Sequence, residues 1–155
     1  MVIKYSVVIK FFMQKGIDYV GITVSYFCHD GKGNYIMSKR GKNARDEQGT
    51  WDFGGGGLDF GDSVEKTLLK ETKEEYGVDL ISYEFLGYYD LFRENEGKKT
   101  QWLALNFLVL IDPTQVKNCE PHKFDEVKFV RMDNLPTPLH SAMKIFIEKY
   151  KNKLK

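Results

Sequence analysis

The sequence predicts an α/β fold. Three observations predict it. The first fifty-odd residues hold segments rich in Val, Ile, Tyr and Phe, broken by turn clusters. A glycine run then leads into a segment with helical spacing, and a second pair of β-rich segments follows. Beyond Pro136 and Pro138 the chain closes on another helical segment. In order, strands are expected over residues 2–13, 19–28 and 35–40, with the Asp30-Gly31-Lys32-Gly33-Asn34 cluster as a turn. Residues 41–49 read as a polar loop, and 50–53 lead into the glycines. Residues 80–91 and 102–111 read as paired strands joined by a charged loop over 92–100. A short strand over 125–131 precedes a helix over about 139–151, with Met143, Ile145, Phe146 and Tyr150 as its apolar positions.

The helix after the glycines is the most informative element. Asp62 or Ser63 supplies its cap, and Asp62 with Glu65 has capping-box spacing. Val64, Leu68, Thr72 and Tyr76 recur every four residues as one packed stripe, and Gly77 is a natural stop. At about 100° per residue, Glu71, Glu74 and Glu75 share one sector beside that stripe, while Lys66, Lys70 and Lys73 fall on the far side. Stability alone disfavours this. Like charges at these spacings repel, and Glu74 and Glu75 sit in the last turn, where the helix dipole prefers cations. A bound cation reverses both penalties. Carboxylate oxygens at this density suit a hard ion, magnesium or manganese rather than zinc.

Composition narrows the class. A length of 155 residues predicts one domain, 1–155, large enough for a proper core. A hydrophobic content of 42% with 29% charged residues is ordinary for a soluble globule. The net charge of +1 gives no bulk attraction to a nucleic-acid polymer or a membrane. Cys28 and Cys119 have no pairing or metal spacing, which fits a reducing, cytoplasmic setting. The first thirteen residues are interrupted by Lys4 and Lys10 and read as a strand rather than a signal peptide. The lysines from Lys144 to Lys155 read as the wet face of the last helix. His29, His122 and His140 share no metal spacing.

The stretch over residues 56–78 resembles the Nudix box, G-x5-E-x7-R-E-U-x-E-E-x-G-U with U aliphatic. The first glycine falls on Gly56, the Arg-Glu pair on Lys70 and Glu71, the Glu-Glu pair on Glu74 and Glu75, and the closing pair on Gly77 and Val78. The spacing is kept throughout. Asp62 stands for the first glutamate, Lys70 for the arginine and Thr72 for an aliphatic residue. Gly54 stands where a proline is usual. Such a family has an α/β/α sandwich with a central mixed sheet and a loop–helix–loop box, and the order of elements here agrees with it.

The resemblance implies an enzyme that hydrolyses a diphosphate bond in a nucleoside diphosphate derivative, with Mg2+ as cofactor and Mn2+ as the alternative. It implies metal ligation by Glu71, Glu74, Glu75 and the Gly56 carbonyl, with Glu71 the first choice for the base. Glu120, in Asn118-Cys119-Glu120-Pro121, stands where some relatives place a further acid. Lys39, Arg40 and Arg45, with Gly55, are the implied substrate contacts. Asp62 and Lys70 are the implied supporting ion pair. Trp51 reads as packing rather than as a base-stacking platform, Tyr88, Phe92 and Trp102 face the same choice and none is taken as a ligand contact, and His140 stands near where relatives contact the nucleobase.

Substrate marks outside the box are thinner. No proline follows the box before Pro113, which argues against an ADP-ribose type. Arg40, Arg45, Gly49 and Phe53 keep part of a coenzyme A pattern. The compact length and the Glu120-Pro121 loop look more like MutT-type enzymes that cleave a nucleoside triphosphate to monophosphate and pyrophosphate. Coenzyme A, ADP-ribose and nucleotide sugars are the alternatives, and a non-catalytic ligand-sensing module is a second one. The partner expected is a nucleotide-type small molecule, with no nucleic-acid polymer and no membrane. Dimers are common in the family, so a homodimer is also open to it.

Overall fold

The computed structural model describes residues 12–154. The strand expected over residues 2–13 lies, apart from its last two positions, outside the described residues. The strands are β1 (Gly21–His29), β2 (Tyr35–Arg40), β3 (Trp51–Asp52), β4 (Gly54–Gly57), β5 (Leu80–Asn95), β6 (Lys98–Ile111) and β7 (Phe124–Val130), with helices α1 (Val64–Tyr76) and α2 (Ser141–Tyr150). All seven strands join one mixed sheet, ordered β3-β2-β1-β6-β5, with β4 also on β1 and β7 also on β2. The β1–β6 pairing is parallel and runs from Gly21↔Trp102 to His29↔Leu110. The other pairings are antiparallel.

Alternation along β1 explains the layers. Val24, Tyr26 and Cys28 face α1 and pack with Leu68, Tyr76 and Val109. Phe27 faces the other way and packs with Met37, Phe53 and Phe146 under α2. Each helix buries its apolar stripe on one face of the sheet, which is the expected α/β/α sandwich.

Two details depart from the sequence reading, and a third decides between the two expected caps. The charged loop expected over 92–100 is mostly strand. β5 and β6 stay paired out to Asn95↔Lys98, and only Glu96 and Gly97 turn, at φ 50° and 74°. Two consecutive positive φ values suit the tight hairpin turn that matches strand twist, and glycine accepts the second at no steric cost. The glycine run is itself a strand, β4, paired with β1 from Tyr26↔Gly54 to Thr23↔Gly57. Finally, Ser63 caps α1 by accepting from the Lys66 backbone N–H at 3.1 Å, and Gly77 ends the helix at φ 71°.

Candidate functional site

The site forms where β4 passes under α1. A side chain at Gly54 would run into the Tyr26 ring, and one at Gly56 would run into the Glu71 carboxylate. The missing side chains let the strand lie directly against the Tyr26 ring and the Glu71 carboxylate. Burial sorts the three box glutamates. Glu75 is 1% exposed, Glu71 half-buried and Glu74 exposed.

Glu75 is held on both oxygens. Its Oε2 accepts from the Tyr26 hydroxyl at 2.5 Å and from the Gly55 N–H at 3.2 Å. Its Oε1 accepts from Lys123 Nζ at 2.7 Å, and the same ammonium reaches Glu120 Oε2 at 3.0 Å. Burial nevertheless pushes the Glu75 carboxyl up to about 7, against the pull of Lys123 and the two hydrogen bonds. Burial and the neighbouring Glu74 charge also raise Glu71. The Lys123 ammonium is in turn held above its ordinary range by Glu75 and Glu120, which outweigh its own burial.

This donor set is all oxygen and anionic, and it has drawn a cation between Glu75 and Glu120. Its chemistry therefore fits a hard divalent ion. Among the described residues, however, no three acidic, His or Cys side chains stand close enough to hold an ion. Lys123 occupies the gap, so an ion would displace the ammonium. The Gly56 carbonyl accepts the Thr23 hydroxyl at 3.1 Å.

Beside β4 lies a cleft of about 240 Å³, lined on one side by Gly55, Gly56 and Gly57 and on the other by Arg40, Arg45, Arg93 and Lys123. Four cations beside a strip of bare backbone suit a phosphate chain. Arg40 is anchored internally, by Asp46 at 2.5 Å and Asp52 at 3.4 Å. The same acids meet Arg93 and the buried His140, so the loop over 41–49, β5 and the start of α2 are tied into one charged cluster. His140 caps α2, accepting the Ala142 N–H on Nδ1 at 3.1 Å. His140 first, and then the charges of Arg40, Arg93 and Arg45, hold the Asp46 carboxyl well below the usual carboxylate range against its partial burial.

A model of the NUDIX domain matches residues 20–150. The chain belongs to the NUDIX family. A MutT NUDIX hydrolase from Burkholderia pseudomallei superposes with TM-score 0.75 at 24% identity, covering 84% of this chain and 98% of that one. A MutT protein from Methanosarcina mazei Go1 superposes with TM-score 0.72 at 22% identity, covering 88% and 96%. The NUDIX domain of Shewanella oneidensis NrtR, complexed with ADP ribose, superposes with TM-score 0.67 at 20% identity, covering 88% and 90%. In sequence, Nudix hydrolase 3 of Caenorhabditis elegans is 37% identical over 59 residues, which is 38% of this chain. That match spans only 25% of the worm protein's length. Nudix hydrolases are pyrophosphohydrolases that act on nucleoside diphosphate derivatives, and they generally need a divalent metal.

Within the Nudix box the structure brings Glu71, Glu75, Gly55 and Gly56 together, with Glu120 across from Glu75 through Lys123. Arg45 and Arg40 reach the cleft, whereas Lys39 is not among its lining residues. Asp62 and Lys70 are divided between other partners. Asp62 takes Lys66 one helical turn away at 2.5 Å, and Lys70 lies 4.0 Å from Asp59. The supporting pair expected between them is replaced by these two contacts, because each charge has a nearer partner on its own turn or loop. Lys123 and Arg93 were missed. Lys123 stands three residues after Glu120, a spacing that brings both onto one tight turn, with Lys123 N–H donating to the Glu120 carbonyl at 2.9 Å. Arg93 was hidden by the loop assignment. Trp51 is buried packing, and Tyr88 and Phe92 are exposed. Among the described residues no helix is long and apolar enough to cross a membrane.

Proposed function

We propose that this protein is a cytoplasmic, magnesium-dependent pyrophosphohydrolase that cleaves a nucleoside triphosphate to the monophosphate and pyrophosphate. One observation carries the reading. A cationic cleft floored by bare glycine backbone opens beside a buried, pKa-raised carboxylate cluster. The cleft suits the phosphate chain, and the cluster suits the cation that would neutralise it. Glu71, Glu74, Glu75, Glu120 and the Gly56 carbonyl would hold Mg2+, or Mn2+ in its place. When bound, the ion polarises water and shields phosphate charge.

The chain's own residues do the rest. Glu71 is the base, half-buried against Gly56, with burial and the Glu74 charge raising its carboxyl above the ordinary value. Lys123, once released from Glu75, and Arg45 face the phosphates. Arg93 and Arg40 shape the cleft wall from their acid partners. Arg40 is tied to Asp46 and Asp52, which weakens a coenzyme A reading resting on that arginine.

The test is a magnesium-dependent hydrolysis screen over nucleoside triphosphates, ADP-ribose, nucleotide sugars and coenzyme A, with Glu74→Gln as the blank. Monophosphate plus pyrophosphate from triphosphates, lost in the variant, is the expected result. Ligand binding with no turnover of any substrate would overturn the enzyme reading in favour of a sensing module.

A further inference from the structure

A second cavity of about 320 Å³ adjoins the phosphate cleft, and the two share Arg45, Arg93 and Trp102. Trp102 makes the shared wall. Side chains at Gly16 and Gly21 would both strike the indole ring, so two bare stretches of backbone lie flat against it. The indole is thereby backed and fixed in orientation. Over the ring sits the Arg45 guanidinium, 5.4 Å from its centre, on an exposed side chain whose one ion-pair contact is at 3.6 Å to Asp46. A rigid aromatic plane covered by a loosely held planar cation is a surface that another planar group can take over. The rest of the lining carries both charges, with Glu94 and Glu96 beside Lys15 and Lys98.

Resting on the nucleotide reading above, we propose that this cavity is the nucleobase subsite: Trp102 is the stacking platform, Arg45 its displaceable cover, and the occupant a planar nucleobase. On binding, the base replaces the guanidinium on the indole face. Arg45 then turns to the phosphates in the adjoining cleft.

The test uses α,β-methylene analogues of ATP, CTP and UTP, with inorganic tripolyphosphate as the baseless control. Binding to the intact protein, Trp102→Phe and Trp102→Leu is followed by calorimetry in magnesium. Trp102→Leu is expected to weaken the ATP analogue about tenfold or more, the range for one stacked base, and Trp102→Phe by less. Tripolyphosphate should bind all three proteins alike, whereas all three nucleotide analogues should weaken in Trp102→Leu. Intrinsic fluorescence provides a readout that does not depend on the leucine variant folding: the ATP analogue should quench the component that Trp102→Phe lacks, and tripolyphosphate should not. Equal losses for nucleotide and tripolyphosphate, or nucleotide binding and fluorescence indifferent to Trp102, would overturn the platform while leaving the nucleotide reading standing. Failure of the unaltered protein to bind any nucleotide analogue would overturn both.

Discussion

Replacing Glu75 by glutamine tests the site through stability rather than turnover. Glutamine keeps the shape and can still accept from Tyr26 and the Gly55 N–H, but it carries no charge. The wild-type carboxyl is raised from an ordinary 4.5 to about 7 by burial. A carboxyl raised on folding holds its proton more tightly in the folded chain. Its contribution is therefore fully present below the unfolded value and is lost as pH rises through the folded one. With 1.36 kcal/mol per unit, the wild type should lose about 3 kcal/mol relative to Glu75→Gln between about pH 4 and pH 8. Most of the loss should fall between the two values. Urea unfolding of metal-free protein across that range measures it, with equal m-values as the check that only stability changed. A difference that stays flat would mean Glu75 titrates normally. A difference that runs the other way, with the glutamine variant losing ground as pH rises, would mean the Lys123 ion pair outweighs burial. Either result refutes the reasoning.

Three further outcomes are expected. Leu68→Ala, at a fully buried position between α1 and the sheet, should cost about 2–5 kcal/mol in denaturant unfolding, and a loss well under 1 kcal/mol would contradict the packing described. Gly56→Ala should abolish hydrolysis while leaving the circular dichroism spectrum unchanged, since the new methyl group would meet the Glu71 carboxylate; wild-type rates would show that Glu71 does not rest on β4. Lys123→Met should lower the stability of the metal-free protein at neutral pH by about 1–3 kcal/mol, read as a drop in Tm, because it strips Glu75 of its cation. An unchanged Tm would remove Lys123 from the site.

The box helix was legible almost residue by residue because its signals are local. A cap, a four-residue stripe and a stopping glycine all act within one element. The glutamates could be located for the same reason: like charges on one face advertise themselves as a penalty. What was not legible depends on chain ends that meet only in three dimensions. Arg93 looked like a loop residue, since charged side chains mask strand propensity in β5 and only the pairing with β6 holds that backbone extended. Lys123 looked like any surface lysine until Glu75 was seen to be buried beside it. Lys70 illustrates the opposite error: the box spacing suggested a partner at Asp62, but Lys66 lies one turn from that carboxylate and takes it.

The parallel contact between β1 and β6 divides the site by sequence distance. Everything that carries carboxylate chemistry on β1, β4 and α1 comes from one continuous stretch and meets through short loops. The wall carrying Arg93 and Trp102 arrives on the β5–β6 hairpin, and that hairpin joins β1 only when Trp102 finds Gly21, some eighty residues back along the chain. Closing so long a loop is slow, and its entropy must be overcome before any contact rewards it. Glu71 and Glu75 therefore meet β4 through contacts of short sequence separation, whereas Glu120 arrives from beyond β6 and the cleft also needs the β1–β6 register. Without that register, Arg93 and Trp102 are missing from the wall opposite those carboxylates.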